Sequence, residues 1–247
     1  MTPLTQQTIA LVTQQLREVG ELIGAMRPPL KPPGRPQCAL FLTIAEQFEA
    51  TVRLAQAGLL THSAVHVRSM LEALADLYLL ARDVEHVDRM KHKQLHGEKS
   101  FYDSIREALQ DDVRNMIDTR LVEVEKRYAP LHARFKRKRS QADTFAAADL
   151  RVLIGPYTLL CSYAHSDLTA LAQRHQGQHG MAHRAEVPNE IAFLILSLAS
   201  MALMQATLPI KEIAKFPDGK FDTHFQCMDR LYGKLMELRP AKGIKAD

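Results

Sequence analysis

Arg68 and Glu72 stand one turn apart in the stretch AVHVRSMLEALADLYLLARD, residues 64–83, and Asp76 follows one turn later. Positions four apart share one face of a helix, so the three charges form a single stripe. Two kinds of chemistry fit it. On a solvated flank it is an Arg–Glu pair that stabilises the helix by about 0.2–0.5 kcal/mol and does nothing more. In a cleft between helices, the guanidinium offers a planar fork to a carboxylate or phosphate. The neighbours leave both open. Val67, Met70, Leu71, Leu74, Leu77 and Tyr78 cluster on one face, and the charges fall on the adjoining face with Val65, Ser69 and Leu79.

Other groups could also do chemistry. Cys161 and His165 are four apart, the spacing of a thiolate and its base, but no third member or oxyanion hole is marked. A small core cysteine beside a hydrogen-bonded histidine is the simpler reading. His62/His66, His92/His96 and His175/His179/His183 have the spacing of shared metal ligands. No HExxH or paired cysteine accompanies them, and glycines interrupt the third set, so neither a metal nor another cofactor is expected. Residues 132–139, HARFKRKR, hold Arg134, Lys136, Arg137, Lys138 and Arg139. They are a solvated connection or a patch for phosphates with salt-dependent affinity. Phe135 alone is at hand for stacking, which does not support sequence-specific reading of single strands.

Two stretches carry a resemblance. Arg68-Ser69-Met70-Leu71-Glu72-Ala73 has the form R-S-x-x-E-A, and Tyr157 through Cys161-Ser162-Tyr163-Ala164-His165-Ser166 is a tyrosine-containing stretch close to S-x-x-x-H. Together they resemble an uncharacterised, mainly prokaryotic helical family, the domain of unknown function 5677, over residues 37–175. Cys161 stands where that family usually has Ser. The resemblance implies a helical domain and nominates Arg68, Glu72 and His165, without a reaction; with Tyr157 these are the ligand-binding candidates. A second comparison is with RNA-cleaving helical domains of prokaryotic defence and toxin systems, which pair an Arg and a polar residue with a later His. Arg174-His175-Gln176-Gly177-Gln178-His179 fits those letters, and Arg89 with His96 fits a looser version. There a His would serve as general acid or base on a ribose hydroxyl, and Arg would stabilise phosphorane charge. The catalytic candidates are then His165, Arg174 and His179. Gly177 and Gly180 make a solvated loop the simpler reading.

The elements that must position these groups are helical. Of 247 residues, 46% are hydrophobic and 24% charged, which suits a folded chain with a real core. Glycine is scarce, Trp is absent, and Ala, Leu, Gln, Glu, Arg and Met dominate. Three distant cysteines without a CxxC fit a reducing cytosol. The N-terminal MTPLTQQTIALVTQQ has no basic start and no long apolar run, so no secretory leader and a cytoplasmic location are expected. A net charge of +4 permits RNA or another anionic partner without demanding one. Residues 191–210 carry no charge over a length that could cross a membrane. Ser197, Ser200, Gln205, Thr207 and Pro209 and the lack of an aromatic belt favour a buried central helix instead, with no membrane partner.

The expected fold is all-α, an irregular bundle of about eight or nine helices around an apolar helix near 189–214. Residues 1–26 form a heptad-patterned helix through Ile9, Val12, Leu16, Val19, Ile23 and Met26. The Pro-rich stretch 27–36 is read as a linker that frees this helix to pack on a second copy in a homo-oligomer. Residues 37–238 form one helical domain and 239–247 a flexible tail. Further breaks are expected at Gly97, at Pro130 and at Gly155-Pro156. The functional expectation is a non-catalytic binding or sensing module with an Arg/Glu/His-lined cleft for an anionic ligand. The alternative is a defence- or toxin-type domain that cleaves RNA or binds nucleotides.

Overall fold

Apolar residues recurring every three or four positions leave each helix with a stripe to bury, and the chain buries them helix on helix. The computed structural model describes residues 1–108, 110–165, 167–177 and 180–240. These form ten α-helices and one pair of two-residue strands, an all-α fold. At the centre is α9, Asn189–Ile213. It is long and apolar enough to cross a membrane, yet most of its surface is buried inside the protein. Ile195, Leu196, Leu203 and Ile210 are at most 1% exposed. Around it pack α1 (Pro3–Ala25), α2 (Gly34–Gln56), α3 (Ala64–Arg82) and α10 (Lys220–Glu237). Pro209 sits inside α9 and deprives the Gln205 carbonyl of its helical donor. The Tyr78 hydroxyl donates to the Gln205 side-chain oxygen at 2.7 Å and stands 3.4 Å from that carbonyl. Two polar side chains deep in the core are paired: Ser200 Oγ donates to Gln15 Oε1 at 2.6 Å, and Gln15 Nε2 donates to the Met228 carbonyl at 3.1 Å.

The first helix is not detached. Its heptad stripe is buried at Ile9, Val12, Val19 and Met26, with Leu16 and Ile23 packed against the same core. The surfaces that cover it belong to α10, α2 and α9 of its own chain. Association of two copies through this stripe would have to displace those contacts. The Pro-rich stretch is pinned rather than free. Arg27 exchanges both backbone hydrogen bonds with Lys215, at 2.9 and 3.1 Å. A Cβ on Gly34 would stand 2.6 Å from the Pro29 side chain and 3.2 Å from Ile213, so only glycine lets the segment fold back onto α9. Helix α2 begins at Gly34, with Pro36 in its first turn, where a missing N–H is no loss.

Three expected breaks are absent or displaced. Helix α4, His86–Arg106, runs through Gly97, because one glycine costs a helix only about 1 kcal/mol. Helix α5, Asp111–Phe135, runs through Pro130. Pro130 and Lys126 are both exposed, so water can take the carbonyl that the proline leaves. Gly155 and Pro156 lie in the first turn of α7, Ile154–Ala164, and start that helix rather than end one. Helices α4 and α5 pack mainly on each other, with a small core of their own at Leu95, Val124 and Tyr128. Helix α6, Gln141–Ala147, is capped by Ser140, which accepts from the Asp143 N–H, and α6 and α7 both pack on α3. Helix α8, Leu168–His175, follows with Asp167 as its cap and leads into the strands β1 (Gln176–Gly177) and β2 (Gly180–Met181).

Candidate functional site

The stripe on α3 has a partner at every charge. Arg68 Nε donates to Glu72 Oε1 at 3.1 Å. The same carboxylate oxygen accepts the Tyr157 hydroxyl from α7 at 2.7 Å. One turn on, His86 at the start of α4 donates from Nε2 to Asp76 Oδ1 at 2.9 Å. Arg68 and Glu72 keep 27% and 28% of their side-chain surface, so the pair is neither a free flank nor a sealed core bridge. It lies at the seam of α3 and α7, beside the buried leucine face of α3.

His165 completes the group. It is the C-terminal cap residue of α7, and its N–H bonds the Cys161 carbonyl in the last helical turn. Its Nε2 stands 3.5 Å from Arg68 Nη1, across 97 residues of sequence. The Arg68 guanidinium also lies over the Tyr157 ring, 5.6 Å from its centre. Tyr157 is held from behind by Phe145 of α6, edge to face at 5.2 Å. Arg68, Glu72, Tyr157 and His165 therefore share one place, reached from two helices. Burial, and then the adjoining Glu72 carboxylate, push the Tyr157 hydroxyl well above the usual tyrosine range, partly offset by Arg68.

That shift gives a direct check. In Glu72→Gln the Tyr157 hydroxyl is expected to ionise at lower pH, read by ultraviolet titration of phenolate with Tyr157→Phe as the blank. A tyrosine whose folded pKa is raised contributes stability that is whole below its unfolded pKa, about 10, and lost as pH climbs toward the folded value. The alkaline loss of stability is therefore smaller in Glu72→Gln than in the wild type. Identical titrations in the two proteins would show that the carboxylate does not act on Tyr157.

The other candidate residues do not join this group. Arg174, on α8, donates from Nη2 to the Tyr163 carbonyl at 2.7 Å and reaches the Thr61 carbonyl at 3.4 Å, a strap between α7 and the turn before α3. His179 lies outside the described residues. His92 and His96 stack with Tyr128 and His132 between α4 and α5, and His66 bonds Gln47. Among the described residues no three His, Cys, Asp or Glu converge as a metal site. The basic run divides. Arg134 is paired with Glu85 at 2.6 Å and Asp88 at 3.0 Å, so its charge is answered within the protein. Lys136 takes a φ of +56° and turns the chain out of α5. Arg137, Lys138 and Arg139 follow in the connection to α6 and border α4. Reasoning from sequence missed the Asp76–His86 pair, because no helical spacing links the end of α3 to the start of α4.

A family model described as "Family of unknown function (DUF5677)" matches residues 36–182, a span that holds both motif helices and leaves out α1, α9 and α10. No curated protein and no solved structure matches the chain.

Proposed function

We propose that this chain, which belongs to the DUF5677 family of unknown function, is a cytoplasmic, non-catalytic binding or sensing module that takes an anionic ligand at the Arg68–His165 face. One observation carries the reading. A guanidinium fixed by Glu72 and Tyr157 presents its Nη1 edge 3.5 Å from a ring nitrogen of His165, on the exposed end of another helix. A carboxylate or phosphate at that edge can accept from both groups, and Arg68 is already oriented for it. The remaining groups favour binding over catalysis. Glu72 accepts two hydrogen bonds and is not a free base, and the hydroxyl of Tyr157 is held protonated. Arg174 holds backbone carbonyls.

The test is titration of the full chain with acetate and with inorganic phosphate, followed by NMR of the histidine ring protons. The His165 resonances, identified with His165→Ala, are expected to shift, and Arg68→Ala should weaken the response about tenfold, the loss of a charged hydrogen bond worth about 1.4 kcal/mol. Arg68→Lys should recover only part, since a point charge cannot reproduce the fork. Resonances unmoved by either anion would sink the proposal. Cleavage of a single-stranded RNA by wild type, lost in His165→Ala, would replace it with the RNA-cleaving reading.

A further inference from the structure

We infer a second anion site, independent of the Arg68 face: a pocket between the end of α3, the start of α4 and the α5–α6 connection that takes a terminal phosphoryl group. The inference starts from three nitrogens. His86 Nδ1, Arg89 Nε and Arg139 Nη1 are each buried without a hydrogen-bond partner among the described residues. All three residues line one pocket. Folded proteins leave few buried polar nitrogens unanswered, so three around one cavity mark a place for a hydrogen-bonding group that the protein does not supply. His86 is only 4% exposed. Its Nε2–H is taken by Asp76, which leaves Nδ1 to accept the P–OH of a singly protonated phosphoryl group or, in an imidazolium, to donate to an oxygen.

The surrounding charge says what the acceptor is. Lys93, Arg137 and Lys138 line the same pocket, and Asp76 is the one carboxylate among its lining residues. That carboxylate already faces His86, so the cationic side chains have no anion in the pocket. Arg89 is held in place, its guanidinium 4.4 Å from the centre of the Phe135 ring. A site with fixed, buried donors and surplus positive charge suits an oxyanion with several acceptor atoms. Size narrows the choice. The cavity has about 40 Å³ of room, where a single water needs about 10–15 Å³ by the same measure. A terminal phosphoryl group offers three outer oxygens to these nitrogens and cations, where a diester offers two. Arg137 and Lys138, in the lining of the same pocket, are exposed and can meet the rest of such a ligand. The ligand class is a free phosphate or a small phosphomonoester such as a nucleotide.

The site lies two turns beyond Arg68 on α3, about 12 Å along the helix axis, so the two can be tested apart. Calorimetry on the full chain carrying Arg68→Ala, with inorganic phosphate, adenosine monophosphate and adenosine, reads it. Phosphate or the monophosphate is expected to bind and adenosine to be silent, and the tighter of the first two names the source. Arg139→Ala and Arg89→Met should each weaken binding tenfold or more, with Arg139→Lys recovering part. All these titrations are made in an Arg68→Ala background, which removes the phosphate response of the other face. Thermal unfolding of each variant without ligand shows that it is folded before its affinity is read. Absence of phosphate and monophosphate binding in the Arg68→Ala background, or binding unchanged there in both folded pocket variants, overturns the site. Equal displacement of phosphate by RNA with and without a 5′-phosphate overturns it in favour of a surface for nucleic-acid backbone.

Discussion

A fragment of residues 36–182, the span that the family model matches, is expected to show no cooperative unfolding transition. The reason is where the core lies. On α2, Phe41, Ile44, Phe48 and Val52 are fully buried, and on α3 so are Leu71, Leu74 and Leu77. Helix α9 packs on both, and the fragment lacks it. Burying one large aliphatic side chain contributes about 1.5–3 kcal/mol. Ile195, Leu196, Leu203 and Ile210 of α9 are all at most 1% exposed. Losing those four alone costs about 6–12 kcal/mol, which matches the whole stability of an ordinary domain, about 5–15 kcal/mol. Thermal melts and urea titrations followed by circular dichroism make the test. A sharp transition in the fragment would mean that α2, α3 and α7 form a core without α9. A second fragment, residues 27–247, asks the same of α1 and should be strongly destabilised if its stripe serves the core.

Phe145→Ala is expected to destabilise the protein by about 3–5 kcal/mol. The ring is fully buried in α6, a helix of seven residues with little else to hold it. Truncation leaves a cavity beneath Tyr157 and removes the edge-to-face contact, worth about 0.5–1.5 kcal/mol beyond area burial. The effect should appear as a lower urea midpoint with an unchanged slope. It should reach the site as well. Without the ring behind it, Tyr157 gains solvent and ionises at lower pH in the variant, while Phe145→Leu shifts both quantities less. A loss below about 1 kcal/mol, far short of the usual range, would show that α6 is not what positions Tyr157.

Some of this was legible in the residues. The leucine face of α3, the apolar run of α9 and the turn at residues 217–220 all read correctly, because each is a local pattern of burial or backbone freedom. Gly97, Pro130 and Gly155-Pro156 did not. Whether a breaker breaks depends on where it falls in the helix and on whether its surroundings leave a freed carbonyl open to solvent, as at exposed Lys126, and folding decides both. The heptad stripe of α1 was legible as a surface to be buried, but a stripe does not say whether its cover comes from α10 or from another copy.

The amino-acid sequence by itself determined the helical class, the central helix and the stripe of Arg68, Glu72 and Asp76 on one face of α3, since all three follow from periodicity along a single element. Tertiary structure alone decided the rest. It set His165 against Arg68 across 97 residues, gave Asp76 its partner in His86, and gathered Arg89 and Arg139 around a shared cavity. Such groupings arise where helices cross, and the crossing is chosen by the fit of whole faces rather than by the charged residues at their edges.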